Sequence, residues 1–135
     1  MIDHRLVAGL FRAGDGVLLC HRRSDRRWYP DVWDLPGGHV DDGENPRRAL
    51  VRELREELGV HVDVPTEGPD TVIRDRDARI ELSIWLIDSW RGEIANVAPD
   101  EHDDIRWFAA GDIASLSLAH PRYPELLRRA LGDVL

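Results

Sequence analysis

Residues 38–60 read GHVDDGENPRRALVRELREELGV, and this segment determines how the rest of the chain is interpreted. From Asn45 to Leu58 the apolar residues recur with the period of an amphipathic helix and fall on one stripe, formed by Leu50, Val51, Leu54 and Leu58. Pro46 suits the first turn of such a helix, and Gly59 suits its C-terminal end. The pattern therefore predicts a helix from Asn45 to Leu58.

Three glutamates of this helix share one face. Glu53, Glu56 and Glu57 stand at positions i, i+3 and i+4, which places their carboxylates one above another. Like charges beside an apolar stripe repel each other unless a cation neutralises them, and Mg²⁺ favours carboxylates, carbonyls and water as ligands. The alternative is a solvated face whose acids pair with arginines, such as Arg52 with Glu56. The helix alone leaves both interpretations open.

Outside this segment the sequence predicts strands and one further helix. A hairpin is expected over residues 5–22, and a short extended piece over 33–35 is closed by a turn at 36–38. Further strands are expected over 60–64, 71–73, 80–90 and 105–108, and a closing helix over 123–131. This order predicts an α+β fold, with a mixed β-sheet between helices (an α/β/α sandwich), as a single domain over residues 1–135.

Composition excludes several classes of protein. The 135 residues include 18 basic side chains, all of them arginine, and 26 acidic ones, for a net charge of −8. A net acidic chain is a poor candidate for binding a nucleic-acid polymer, and no apolar run is long enough to predict a membrane span. The single cysteine, Cys20, excludes an internal disulfide framework and a multi-cysteine zinc site. Without a signal-peptide pattern at the N-terminus, we expect a cytoplasmic protein.

The spacing of the central segment carries a family resemblance. Gly38 is followed after five residues by Glu44, and after seven more by Arg52-Glu53-Leu54-Arg55-Glu56-Glu57-Leu58-Gly59-Val60. This matches the Nudix box, so the chain resembles the Nudix hydrolases. The flanking Pro36-Gly37 and Trp107-Phe108 make it most similar to the MutT-type nucleoside triphosphate pyrophosphohydrolases.

That resemblance implies a fold and a reaction. It implies the Nudix fold and hydrolysis of a diphosphate bond in a nucleoside triphosphate, oxidised or non-standard nucleotides included, which gives a nucleoside monophosphate and pyrophosphate. The implied cofactor is Mg²⁺, with Mn²⁺ as a substitute. The implied partner is a small-molecule nucleotide, and whether the chain forms a homodimer is left open.

The resemblance also implies roles for individual residues. The catalytic carboxylates would be Glu53, Glu56 and Glu57. Of these, Glu56 and Glu57 would be the core Mg²⁺ ligands, and Glu53 would be a ligand or the base that deprotonates water. The Gly37 carbonyl would be a further ligand. The residues that shape the motif would be Glu44 and Arg52, which brace loop to helix, Gly38, which allows a tight loop, and Gly59, which ends the helix.

Residues outside the box are implied with alternatives. Glu101, six residues before Trp107, corresponds to a metal-binding glutamate of MutT-type enzymes, although residues 100–104 also fit a solvated acidic loop. Arg23 corresponds to a phosphate-binding arginine, or else belongs to a solvated arginine-rich loop. His39, after the glycine pair, could contact phosphate or shuttle a proton, although a lone histidine is more often incidental.

Base recognition is the least specified part of the resemblance. The tryptophans, which offer stacking platforms but are more often core residues, are Trp28, Trp33, Trp85, Trp90 and Trp107. Residues 116–123, where MutT-type enzymes read oxidised guanine, contain no asparagine. Selectivity for 8-oxo-dGTP is therefore not implied.

Other functions remain as alternatives. The chain could hydrolyse another nucleoside diphosphate derivative, such as ADP-ribose, a dinucleoside polyphosphate or a nucleotide sugar. The proline and tyrosine that mark the first two classes beyond the box are absent at residues 75–78. A non-catalytic nucleotide-sensing module typically loses the helix carboxylates, whereas this chain keeps all three. A structural domain whose acidic helix binds nothing would gain no stability from Mg²⁺.

Overall fold

Strand β1 (His4–Ala13) organises a mixed sheet in the computed structural model, which describes residues 2–25 and 31–132. On one edge, β1 pairs in parallel with β6 (Ile80–Ile87) along most of its length. On the other edge, β1 pairs antiparallel with β4 (Gly37–His39) near its start and with β2 (Gly16–Arg22) at its end. The sheet therefore splits where β1 changes its partner.

The remaining strands extend the two halves of the sheet. Strand β5 (Thr71–Asp75) pairs antiparallel with β6, whereas β3 (Trp33–Asp34) and β7 (His102–Ala109) pair antiparallel with β2. Within the described ranges the sheet has seven strands.

Helices cover both faces of this sheet. Helix α1 (Pro46–Leu58) lies on one face, and α2 (Ala110–Ile113) and α3 (Tyr123–Ala130) lie on the other. The side chains of a strand point alternately to the two faces of the sheet, so each face has its own hydrophobic core. On β1, Val7 and Phe11 pack on the α1 side, and Ala8 and Leu10 pack on the α3 side. The predicted α+β fold, with a mixed sheet between helices, is confirmed.

The predicted central helix is also confirmed, with its caps. The Asn45 side chain accepts a hydrogen bond from the Arg47 backbone N–H, and Pro46 occupies the first turn. Gly59 ends the helix in the left-handed conformation, with φ of 71°. The apolar stripe of the helix faces the sheet, where Leu50, Leu54 and Leu58 are fully buried.

Two predicted elements differ in their pairing. The hairpin over 5–22 is right only at its tip, because β1 and β2 pair at Arg12–Val17 and Ala13–Gly16 after β1 has left β4. The turn predicted at 36–38 is wrong in part, since Gly37–His39 forms β4.

The strand predicted over 60–64 is wrong. Only an isolated bridge joins His61 to Arg91, although Val60, Val62 and Val64 are buried as the alternation implied. The Arg47 guanidinium donates to the carbonyls of Val64 and Pro65, so a side chain satisfies backbone groups there. The alternation therefore reflects packing beneath α1.

Several boundaries also move. Strand β5 extends two residues beyond the predicted 71–73, whereas β6 ends three residues before the predicted position 90. Strand β7 begins at His102, three residues earlier than predicted, and α2 was not predicted. The closing helix is confirmed and ends one residue early. No helix in the described part of the chain is long and apolar enough to cross a membrane.

The close approach of β4 to β1 gives a testable prediction. A Cβ at Gly37 would overlap the Val7 carbonyl oxygen and lie 2.7 Å from the Ala8 Cα, and neither backbone atom can move cheaply. We expect Gly37→Ala to lower the free energy of unfolding by about 2 kcal/mol or more, measured by urea denaturation. Gly111→Ala is the matched control, because a Cβ at that position would meet nothing within 4 Å, and its stability should not fall. Equal stability of both variants would contradict the close approach.

Candidate active site

The carboxylate of Glu57 is the most buried charged group of the site. Its residue is 3% exposed and lies where the last turn of α1 faces the sheet. The Gly37 backbone N–H donates to Glu57 Oε2 at 2.9 Å, and His102 Nε2 lies 3.3 Å from Glu57 Oε1. Burial outweighs these contacts and raises the pKa of Glu57 to about 7.

Glu53 stands one turn earlier and faces the glycine pair. A Cβ at Gly38 would overlap the Glu53 carboxylate, so glycine lets the β4 backbone approach this side chain. Burial raises the pKa of Glu53, and the Arg52 guanidinium opposes that shift. Charges on Glu56 and Glu101 raise the pKa further, which shows that these carboxylates share one electrostatic environment.

The Arg52 side chain joins the loop to the helix. Its Nε and Nη2 donate to the two carboxylate oxygens of Glu44 at 3.0 and 2.9 Å, and its Nη1 donates to Glu53 Oε1 at 2.9 Å. Arg52 Nη2 also donates to the His39 carbonyl at 3.1 Å. The guanidinium lowers the pKa of Glu44 to about 2. These hydrogen bonds link Glu44 in the loop, the His39 backbone on β4 and Glu53 on α1. They therefore fix the position of Glu53 relative to β4.

Glu101 reaches the same cluster from the turn before β7. One ligand atom each from Glu57, Glu101 and His102 lie within 4.8 Å of one another, which is a spacing that can hold a metal ion. Glu56 is exposed at the rim, where its Oε2 lies 3.4 Å from Arg52 Nη1. The structure therefore brings Glu57, Glu101 and His102 closest together, places Glu53 within electrostatic reach of Glu101, and leaves Glu56 at the edge.

The two predicted phosphate contacts lie in different settings. The Arg23 backbone N–H donates to the Glu101 carbonyl at 3.2 Å, which places Arg23 beside the cluster. Its guanidinium donates to both oxygens of Asp25 at 3.0 Å and to the Pro99 carbonyl. The exposed His39 ring lies edge-on against His4, with ring centroids 5.7 Å apart. The backbone of His39 contacts the brace, whereas its ring turns to a neighbour on β1.

The tryptophans have separate environments. Trp85 is a core residue, and Trp90 stacks on Trp107 at 6.0 Å, where Trp107 is 42% exposed. Trp33 packs against His21 and Phe108. Trp28 lies outside the described residues.

A half-buried carboxyl lies on β3. Asp34 Oδ1 accepts hydrogen bonds from the Leu35 N–H at 2.7 Å and from the Tyr123 hydroxyl at 2.8 Å. Burial raises the pKa of Asp34. Burial raises the pKa of the Cys20 thiol, and the charges of Glu57 and Asp34 raise it further, so the two carboxyls lie around one interior position.

The donor set fits a hard divalent cation. Carboxylate oxygens of Glu57 and Glu101 lie within 4.8 Å of each other, and the charge of Glu53 acts on Glu57, whose pKa burial raises to about 7. Carboxylate oxygens of this kind suit both Mg²⁺ and Mn²⁺.

Sequence reasoning did not single out His102, and a β-bulge explains why. His21 pairs with Asp104 but Arg22 pairs with His102, so Asp103 is the extra residue. Regular alternation would have turned Asp103 toward α1, whereas the bulge turns His102 there. Its position next to Glu101 was the available signal. Asp34 and Tyr123 were also missed as a pair, because α3 and β3 are distant in sequence.

Comparison with known proteins places the chain in a family. The NUDIX domain model matches residues 3–130. The chain is 36% identical over 129 residues to the nucleoside triphosphatase NudI of Enterobacter sp. (strain 638). This alignment covers 87% of this chain and 90% of that protein. It is 44% identical over 63 residues to the 8-oxo-dGTP diphosphatase of Proteus vulgaris, over 46% of this chain and only 55% of that protein's length.

A solved structure agrees over nearly the whole chain. The MutT NUDIX hydrolase from Burkholderia pseudomallei superposes with a TM-score of 0.78 at 30% sequence identity, covering 98% of each chain. Because the family model spans almost the full sequence and these relatives align across the same elements, the chain belongs to the NUDIX family of hydrolases.

Proposed function

We propose that this protein hydrolyses a nucleoside triphosphate to a nucleoside monophosphate and pyrophosphate, with Mg²⁺ as cofactor and Mn²⁺ as a substitute. The names of the relatives support a nucleoside triphosphate as substrate, since one is a nucleoside triphosphatase and another an 8-oxo-dGTP diphosphatase. The observation that carries the proposal is the close group of Glu57, Glu101 and His102, with the glycine-rich β4 backbone against Glu57 and Glu53.

Glu57, Glu101 and Glu53 would hold the metal together with the Gly37 carbonyl. Glu56 at the rim would reach a metal that the nucleotide brings with it. When bound, the metal supplies neutralisation of the phosphate oxygens and activation of water. The anhydride bond breaks as a P–O bond forms to water, and the pyrophosphate leaves.

The residues of the chain prepare this reaction in three ways. Glu53, whose pKa is raised by burial, would accept the proton from water. Arg52 holds Glu53 in place by donating to its Oε1. Arg23, beside Glu101, would bind phosphate on exchanging its Asp25 partner for the substrate. His39 would contribute a further phosphate contact from the end of β4.

The substrate is tested with a panel of nucleotides in Mg²⁺. The panel contains nucleoside di- and triphosphates, in oxidised and unoxidised form, with ADP-ribose and diadenosine polyphosphates, and the products are separated by chromatography. We expect nucleoside monophosphate and pyrophosphate from at least one triphosphate. Turnover of ADP-ribose or diadenosine polyphosphates alone would replace the proposed substrate class.

Removal of single charges from the cluster should abolish turnover. We expect Glu53→Gln and Glu57→Gln each to lower kcat by at least about 100-fold at saturating Mg²⁺, because each loses an ionised oxygen that a metal or a proton requires. Glu125→Gln is the control, since Glu125 is exposed on α3, on the other face of the sheet. Unchanged phosphate release by both cluster variants would rule out the proposed catalytic role.

The pKa of Glu57 predicts how metal and pH act on stability. The folded state keeps the Glu57 proton up to about pH 7, whereas the unfolded chain releases it near 4.5, so the free energy of unfolding falls as the pH rises between these values. The loss is on the order of 3 kcal/mol. Because Mg²⁺ displaces this proton, it should raise Tm more at pH 8 than at pH 6.

Thermal unfolding with and without Mg²⁺ at several pH values measures this effect. Glu57→Gln has no proton to displace at this position, so its Tm should show a weaker pH dependence and a smaller response to Mg²⁺. An identical pH profile for the variant and the original chain would assign the dependence to other groups.

The brace predicts a difference between two arginines of α1. Arg52→Lys keeps the positive charge but cannot bind Glu44 with two donors while also contacting Glu53, so kcat should fall about 10- to 100-fold. Arg48→Lys is the matched control, because Arg48 is exposed and its side chain makes no polar contact within the described ranges. Steady-state kinetics on one substrate compares the two, and equal kcat would show that charge alone is sufficient at position 52.

A further inference from the structure

Glu57 and His102 are the two polar residues in the described part of the chain that are buried, at 3% and 4% exposure, and each is the other's neighbour. His102 Nε2 lies 3.3 Å from Glu57 Oε1, across the interface between β7 and α1. Glu101 Oε2 is farther from the same nitrogen, at 3.9 Å. A buried imidazole that faces a candidate metal ligand needs an explanation beyond packing.

The two oxygens of Glu57 are contacted from opposite sides of the fold. The Gly37 N–H, on β4, donates to Oε2 at 2.9 Å, and the His102 ring stands at Oε1. A carboxylate held at both oxygens cannot rotate about its terminal bond without losing one contact. Each oxygen nevertheless keeps a second lone pair, which is free to bind a metal.

The contacts of the ring assign its proton. Above the pKa of Glu57 its ionised oxygens only accept hydrogen bonds, so Nε2 then carries the hydrogen that it donates to Glu57. Nδ1 is buried and has no hydrogen-bond partner among residues 2–25 and 31–132. A second hydrogen there would be a buried donor without an acceptor, which is costly. The geometry therefore favours the neutral tautomer with Nε2–H.

The backbone of His102 is itself fixed. The Asn96 side-chain amide donates to the His102 carbonyl at 2.7 Å, and the His102 N–H donates to the Ala98 carbonyl at 3.1 Å. The β-bulge at Asp103 turns the ring toward α1. These contacts hold the imidazole independently of Glu57, which a group that orients another side chain requires.

We propose that His102 is a positioning residue for Glu57, which donates from Nε2–H to Oε1 and thereby presents the carboxylate to the metal in one orientation. This inference rests on the proposed function, because it assumes that Glu57 is a metal ligand. The competing assignment is His102 as a direct ligand through Nε2. The two assignments differ in the proton, since a ligand must lose the Nε2 hydrogen and a positioning residue keeps it.

The first experiment measures metal binding in the absence of nucleotide. Binding of Mn²⁺ to the full chain is followed by the electron paramagnetic resonance signal of the free ion, for the original protein, His102→Leu and His102→Gln. We expect His102→Leu to bind Mn²⁺ about 10- to 100-fold more weakly. His102→Gln places an amide N–H near the position of Nε2, so its affinity should return to within a few-fold of the original.

A control variant separates positioning from damage to β7. Phe108→Leu alters the same strand on its opposite face, where Phe108 packs against Trp33, and should leave Mn²⁺ affinity unchanged. Circular dichroism and thermal unfolding establish that each variant is folded. If His102→Leu does not fold, the glutamine variant and the next measurement still test the proposal.

The second experiment observes the ring proton directly. Long-range ¹H–¹⁵N correlation spectra of the original protein at pH 8, where Glu57 is ionised, distinguish the two neutral tautomers before and after addition of Mg²⁺. We expect His102 to show Nε2–H in both states. Loss of that proton on Mg²⁺ addition would make His102 a ligand and would overturn the positioning role.

The outcomes separate this inference from the function on which it rests. If the original protein binds neither Mn²⁺ nor Mg²⁺ and releases no product from any nucleotide of the panel, the proposed function fails. If the original protein binds Mn²⁺ and turns over a nucleotide, but folded His102→Leu binds Mn²⁺ with the same affinity, only the role of His102 fails.

Discussion

The burial of the Glu57 carboxylate is the constraint around which the site is arranged. An ionised group at this depth costs several kcal/mol unless partners or a cation offset the loss of water. Its hydrogen-bonding neighbours are the Gly37 N–H and the His102 ring, and because burial outweighs them the pKa of Glu57 stays raised at about 7. These contacts stabilise the charge in part and do not offset its burial, so a cation bound beside Glu57 would stabilise the ionised form further. A salt bridge from an arginine would have satisfied the carboxylate and occupied the position.

The split of the sheet gives this carboxylate its access. Strand β1 changes partner from β4 to β2, and β4 consists of the glycine pair with His39. Because side chains at Gly37 and Gly38 would overlap β1 and Glu53, glycine lets the backbone lie directly against α1. The brace from Arg52 to Glu44 then locks the incoming loop to the same helix. The close approach of the β4 backbone and the hydrogen bonds of the Arg52 guanidinium therefore fix the carboxylates of α1 in place.

The sequence predicts α1 well and the surroundings of its glutamates less well, for physical reasons. The helical period, the capping residues and the apolar stripe are local properties of the sequence. The helix from Pro46 to Leu58 and its acidic face could therefore be derived without tertiary information. The family resemblance added the brace between Arg52 and Glu44, whose geometry the structure contains. The orientation of the His102 side chain toward α1 depends on a β-bulge. The bulge shifts the alternation of side chains along β7 by one residue, and the hydrophobic pattern of the sequence does not indicate it. At residues 60–64 the pattern was present but the prediction was wrong. The valines are buried alternately, yet this segment pairs with no strand in the described part of the chain.

The net charge of −8 acquires a more specific meaning once the ion pairs are known. Acidic residues are concentrated over 41–57 and 100–104, which suggests one large acidic cradle, yet most of them are already paired. Asp41 and Glu44 contact Arg52, Asp103 contacts His21, and Asp104 contacts Arg106. Glu57 and Glu101 have no cationic partner other than the His102 ring among the contacts of the described residues. Arginine and histidine side chains therefore pair many of the acids around the site, Glu53 included. Glu57 and Glu101, whose only ion-pair contact among the described residues is the His102 ring, keep the charge that a metal would offset.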